Sequence, residues 1–214
     1  MTTLIFIRHG QSLSNLEKRF SGQHNPDLTA LGHRQAEATA RHLENAGIEK
    51  IYSSDLARAY QTAEHTAKLL GLEIILTKGL REINAGDWEG KLYADLMVEF
   101  PDSYNRWLTD LGHAHPENGE SVLELKDRVY QTVENILQEN RGRCVAIFTH
   151  ATPVRMLACS WFGIPAEDAI KVPFCTNASI STVEYEDDGS FRLVQYGYDA
   201  HQGELVTQFP KGLV

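Results

Sequence analysis

The segments TLIFI (3–7) and CVAIFT (144–149) are continuous apolar runs of strand length. A strand with one wet face alternates apolar and polar residues, so an unbroken run must be covered on both faces. Two such strands demand helical layers above and below a sheet. The chain supplies those helices. TALGHRQAEATARHLENAG (29–47) reads as a helix with Thr29 as N-cap, Ala36, Ala40 and Leu43 on one face, and Gly47 to end it. IYSS (51–54) is a short strand. DLARAYQTAEHTAKLLG (55–71) is a second helix, capped by Asp55 and closed by Gly71, and EIIL (73–76) is a third strand. A long helix spans 121–140, where Ser121 and Glu124 form a capping box and Val122, Leu125, Val129, Val133, Ile136 and Leu137 make the apolar stripe. TPVRMLACSWFG (152–163) is a helix with Thr152 as N-cap, Pro153 at its first position and Gly163 past its end. ASISTVEY and FRLVQYGY flank a DDGS turn, a hairpin signal.

This alternation predicts an α/β protein: a three-layer sandwich with a mostly parallel central sheet, helices on both faces and the late hairpin as its antiparallel element. Residues 84–118 break the rhythm. They are rich in aromatic, glycine and charged residues with weak periodicity, and read as an inserted helical segment over the active site. No linker, repeat or low-complexity tract divides the chain, so residues 1–214 are expected to form a single domain.

The formal net charge of −9 argues against nucleic-acid and membrane-surface partners, although a cleft can still focus positive potential on a small anion. The start MTTLIFIRHG has no basic region and no apolar stretch of leader length, and nothing approaches the roughly 20 apolar residues of a membrane span. Cys144, Cys159 and Cys175 fit no paired framework and no CxxC spacing, which suits a reducing compartment. A cytoplasmic protein is the expectation. The position six residues after each cysteine holds His150, Pro165 or Ser181, so the Cys-x5-Arg pattern of cysteine phosphatases is absent. There is no GxxxxGK[ST] loop and no DxDxDG calcium loop. His113 and His115 lack a third ligand at defined spacing, and no metal or cofactor is expected.

In open α/β sheets, ligands bind beyond the carboxyl ends of the strands. Arg8 and His9 leave the first strand at such an end, and His150 leaves CVAIFT at the equivalent place. Arg58 falls in the first turn of the helix after IYSS, and Glu82 in the loop after the third strand. Two arginines, two histidines and a carboxylate suit phosphoryl transfer, in which positioning and electrostatics dominate. Guanidinium forks bind phosphoryl oxygens and hold their charge. They also disfavour a protonated His9, leaving its lone pair for attack. Glu82 is placed to protonate the leaving alkoxide and then to activate water. Gly10 lets the backbone turn closely around the anion.

RHGQSLSN resembles the signature of the histidine phosphatase superfamily, the phosphoglycerate-mutase-like proteins. The resemblance continues in order through RFSGQHNPDLTALGHRQA, IYSSDLARAYQTA, LREINAGDWEG and FTHATPVR, over nearly the whole chain. It implies His9 as the phosphorylated nucleophile, Arg8, Arg58 and His150 as the phosphate pocket, and Glu82 as acid and base. It also implies that Asn15, Ser21 and Gly22 touch substrate or phosphate, with the backbone of Ala151 beside them. Two departures stand out: Gln11-Ser12 replaces the more frequent Glu or Thr variants, and Ala151 replaces a common glycine.

Within that family the alternatives are a phosphatase and a phosphoglycerate mutase. NLEKRFSG is close to the mutase version, whereas SSDLARAYQTA and INAGDWEG resemble the phosphatase branch. The long basic insertion expected of a cofactor-dependent mutase is missing, and residues 84–118 carry Lys91 and Arg106 against seven acids. The reading is therefore a metal-independent phosphomonoester hydrolase acting on a small phosphorylated metabolite. A non-catalytic phosphate-binding module is the third alternative; its relatives usually lose the nucleophile or an arginine, and this chain keeps both. Trp88, Tyr93, Phe100, Tyr104 and Trp107 are expected mainly to pack the insertion, with Trp88 equally suited to a substrate mouth. Oligomeric state is not written in the sequence.

Overall fold

A computed structural model describes residues 1–207; the expected domain also takes in 208–214, which lie outside the described residues. The six strands are β1 (Thr2–Arg8), β2 (Lys50–Ser53), β3 (Ile74–Leu76), β4 (Cys144–Thr149), β5 (Ile180–Tyr185) and β6 (Phe191–Tyr198). They form one sheet in the order β3-β2-β4-β1-β5-β6. The four strands β1 to β4 pair in parallel, and the β5–β6 hairpin adds the antiparallel edge. The sheet is mostly parallel, as the alternation predicts.

Seven α-helices are described: α1 (Leu13–Glu17), α2 (Ala30–Leu43), α3 (Ala57–Leu70), α4 (Tyr93–Glu99), α5 (Pro101–Thr109), α6 (Val122–Glu139) and α7 (Ala151–Trp161). The period of two in β1 divides them into layers. Ile5 and Ile7 pack with Leu43 of α2 and with Ala63 and Ala67 of α3. Leu4 and Phe6 join the cluster containing Val129 and Val133 of α6 and Val154 and Leu157 of α7. Both faces of β1 and β4 are thereby dry, which is why neither strand alternates in sequence.

Helix ends follow the local chemistry with three corrections. The Thr29 hydroxyl caps α2 and the Ser121–Glu124 box opens α6, as expected. However, α2 stops at Leu43, before Gly47. Asp55 does not cap α3; its carboxylate takes both Nε and Nη2 of Arg81 at 2.6 Å, a charged fork stronger than a neutral cap bond. Helix α7 starts at Ala151 with His150 at its cap position, so Thr152 lies in its first turn, where its N–H donates to Glu82 Oε2 at 3.3 Å. The short α1 was not foreshadowed: Leu13 and Leu16 are exposed, so no apolar stripe marks it.

Residues 84–118 are helical as expected, with α4 and α5 between 3-10 turns at Gly86–Trp88 and Leu111–His113. Trp88 is fully buried, stands edge-on to Phe20 and Tyr104, and donates its Nε1–H to Glu117 at 2.6 Å. It is packing, not a mouth residue.

Candidate active site

The β1–β4 register ends at Arg8 opposite Thr149, so His9 and His150 leave the sheet side by side. Their rings lie 5.1 Å apart between centroids. The His9 N–H donates to the Thr149 carbonyl at 3.0 Å, which fixes the exit of one strand against the other. The next residue, Gly10, donates its N–H to Thr62 Oγ1 on α3 at 3.0 Å.

His9 Nδ1 faces its neighbour's carbonyl, Gly10 O, at 2.7 Å. A carbonyl only accepts, so Nδ1 carries the proton and Nε2 keeps the lone pair. The Arg58 Nε–H donates to that Nε2 at 3.2 Å, while its Nη1 and Nη2 donate to the carbonyls of His24 and Gly22 at 2.9 and 2.8 Å. Arg8 Nη1 donates to the Cys175 carbonyl, and the guanidinium lies 4.5 Å from the Phe174 ring centre. Both arginines are buried, and burial lowers each to about 10, against the opposing pull of the Glu82 carboxylate. They remain cations at neutral pH. His9 is held well below the usual histidine value by burial first, then by the charges of Arg58 and Arg8.

Glu82 is buried, with Oε1 accepting from the Ile83 N–H at 2.9 Å and Oε2 from the Thr152 N–H. His150 is fully buried beside His9. Its Nε2 meets Ser54 Oγ at 2.8 Å, and its Nδ1 has no hydrogen-bond partner among the described residues. Burial and then Arg58 keep this ring neutral as well.

A cavity of about 290 Å³ opens over these groups. Arg8, His9, Arg58 and Glu82 line it, and so do Asn15, Ser21, Gly22 and Ala151. Eight of the nine residues expected at the site thus share one cavity; His150 lies behind its floor and does not line it. Asn15 is fixed from two sides, by the Ser12 N–H and by Asn177 Nδ2, each at 3.1 Å from its Oδ1. Among the described residues, no group of three or more His, Cys, Asp or Glu side chains is arranged to hold a metal ion. No described helix is long and apolar enough to cross a membrane.

Residues 4–199 match the histidine phosphatase superfamily (branch 1). The chain belongs to that superfamily. Phosphoserine phosphatase 1 of Hydrogenobacter thermophilus is 29% identical over 213 residues, covering 100% of both chains. A probable phosphoglycerate mutase, GpmB of Shigella boydii, is 35% identical over 189 residues, 87% of this chain and 86% of its own. Among solved structures, the mycobacterial glucosyl-3-phosphoglycerate phosphatase Rv2419c with VO3 superposes with a TM-score of 0.82 at 28% identity, covering 91% of this chain and 98% of its own.

Several residues of this histidine phosphatase cavity were not marked by sequence. Lys18 lines it from a left-handed backbone position, φ 58°, after α1. Phe174 and Thr207 reach it from loops far along the chain. Tyr93, Tyr104 and Trp107, read as packing residues, also form its wall. None of these follows a periodicity, and only the fold brings them together.

Proposed function

We propose that this histidine phosphatase hydrolyses a small phosphomonoester through a phosphohistidine on His9, with Glu82 as acid and base. One observation carries the reading: a neutral imidazole with an unprotonated Nε2 stands between two buried guanidinium groups. In the first step the Nε2 lone pair attacks phosphorus, the P–O bond to the alcohol breaks, and the leaving oxygen takes a proton from Glu82. In the second step the Glu82 carboxylate takes a proton from water as that water attacks phosphorus. The P–N bond breaks, its electron pair returns to Nε2, and inorganic phosphate departs. Arg8 and Arg58 neutralise the equatorial oxygens, whose charge grows least compensated in a low-dielectric site. Asn15, Ser21, Gly22 and the Ala151 backbone line the phosphate's surroundings. His150, expected at the phosphate, stands outside the cavity lining and backs the His9 ring at 5.1 Å between centroids.

The phosphatase names of two relatives support hydrolysis over mutase chemistry. The GpmB likeness keeps the mutase as the competing reading, and 3-phosphoglycerate separates the two. Phosphate release faster than isomer formation is expected. Rapid quench into alkaline detergent during turnover of a radiolabelled ester should trap label on His9, stable to alkali and removable by acid, and His9→Ala should trap none. Undiminished turnover by His9→Ala would remove the imidazole from the mechanism.

A further inference from the structure

The phosphate end of the cavity takes up only its floor. Its wall is aromatic: Phe20, Tyr93, Tyr104, Trp107 and Phe174, with Leu16 at the edge. These rings are mutually fixed. Phe20 stands edge-on to Tyr93 at 6.2 Å and to Trp107 at 5.0 Å between centroids. Burial keeps both tyrosine hydroxyls neutral, that of Tyr104 pushed up to about 12. The charged residues of the wall and floor are Arg8, Arg58, Lys18 and Glu82. Glu82 is the only carboxylate among the described residues lining the cavity, and both its oxygens accept backbone N–H bonds. A substrate ammonium group therefore meets three cations and no spare acid, while a flat uncharged ring meets aromatic side chains and neutral tyrosine hydroxyls.

We infer that the leaving alcohol of the substrate carries a flat, uncharged ring held in this aromatic slot, and that amino-bearing phosphoesters such as phosphoserine are poor substrates. The inference rests on the phosphatase reading and names its substrate class. It separates this chain from the relative named a phosphoserine phosphatase, despite similarity along the full length. A volume of about 290 Å³ admits a phosphate and one ring system; small-molecule sites run from roughly 300 Å³ upward.

The test compares three alkyl monoesters of similar intrinsic reactivity: 2-phenylethyl phosphate, propyl phosphate and phosphoserine. Because each leaves as an alkoxide, differences report the slot rather than the leaving group. Burying the phenyl ring should raise kcat/KM over propyl phosphate by at least about tenfold, and phosphoserine should fall below propyl phosphate. Trp107→Ala should bring the phenylethyl-to-propyl ratio down several-fold, and Trp107→Phe should retain most of it. A wild-type ratio near one, a preference for phosphoserine, or an unchanged ratio in Trp107→Ala would overturn the slot, and the wild-type series needs no variant to fold. If all three esters are cleaved without preference, the slot falls and the phosphatase stands. If none is cleaved and no label is trapped on His9, the phosphatase reading itself falls.

Discussion

Gly32→Ala turns the packing behind His9 into a measurement of sign. Gly32 sits in the first turn of α2, where its N–H bonds the Thr29 hydroxyl at 3.0 Å. A Cβ built on it would fall 2.1 Å from the Gln11 carbonyl oxygen and 3.0 Å from that residue's carbonyl carbon. The converse also holds, since a Cβ on Gly10 would fall 2.5 Å from the Gly32 oxygen. Two backbones meet here with no side chain that could swing aside. The start of α2 and the turn after His9 must separate by about 1 Å to restore ordinary contact, and interiors this dense resist such a shift. Helix propensity alone would favour alanine by up to about 1 kcal/mol. Overpacking costs about 1–3 kcal/mol, so the net effect is destabilising. Each kcal/mol lowers Tm by roughly 2–4 °C in a chain of this length. If His9 is the nucleophile as proposed, a 1 Å displacement of the turn that follows it is worth about 100-fold in kcat. Calorimetry and turnover of a generic aryl phosphate read both quantities. A variant with raised Tm and kcat within about twofold of wild type would refute the contact and the role given to it.

Two further outcomes follow from the buried histidines and the α6 cap. His9 and His150 are held neutral in the fold by burial, whereas in the unfolded chain they titrate near the ordinary histidine value. Below about pH 6.5 the unfolded state binds protons that the folded state refuses, so stability should fall with pH by up to about 1.4 kcal/mol per unit for each ring. Urea midpoints at pH 7 and pH 5 check this, and equal midpoints would contradict it. Ser121→Ala removes the α6 capping box far from the cavity; it should cost about 1 kcal/mol in calorimetry with kcat unchanged, and a larger loss of kcat than of stability would speak against it.

The layered fold was legible because the physics that builds it is local. Apolar runs mark β1 and β4, and glycines with positive φ at Gly71 and Gly163 end helices where the sequence places them. The starts of α3 and α7 differ from their local signals. Asp55 has the chemistry of an N-cap, but Arg81 holds its carboxylate; Thr152 lies inside α7, where its N–H donates to Glu82. Local propensity cannot see a partner 26 or 70 residues away. The charged floor of the site was legible for the opposite reason, since Arg8 and Arg58 sit at a strand exit and a first helical turn that the alternation already locates, and Glu82 in the loop after the third strand. The aromatic wall was not, because its residues come from an insertion without periodicity and from loops near both ends of the described chain.

Net charge is a poor guide to what such a cavity binds. The chain carries −9, yet Arg8 and Arg58 are both fully enclosed with Glu82 as the buried carboxylate beside them. A buried guanidinium group whose partners are all neutral, as are those of Arg58, the Gly22 and His24 carbonyls and His9 Nε2, retains its charge without neutralising it. Exposed acids on the outer surface are screened within about 10 Å at ordinary ionic strength, whereas the enclosed pair acts on a ligand at short range. An anion entering the cavity therefore meets a local cation excess inside an acidic protein. The same enclosure that gathers these cations keeps His9 unprotonated, so the local positive field and the free imidazole lone pair arise from one act of burial.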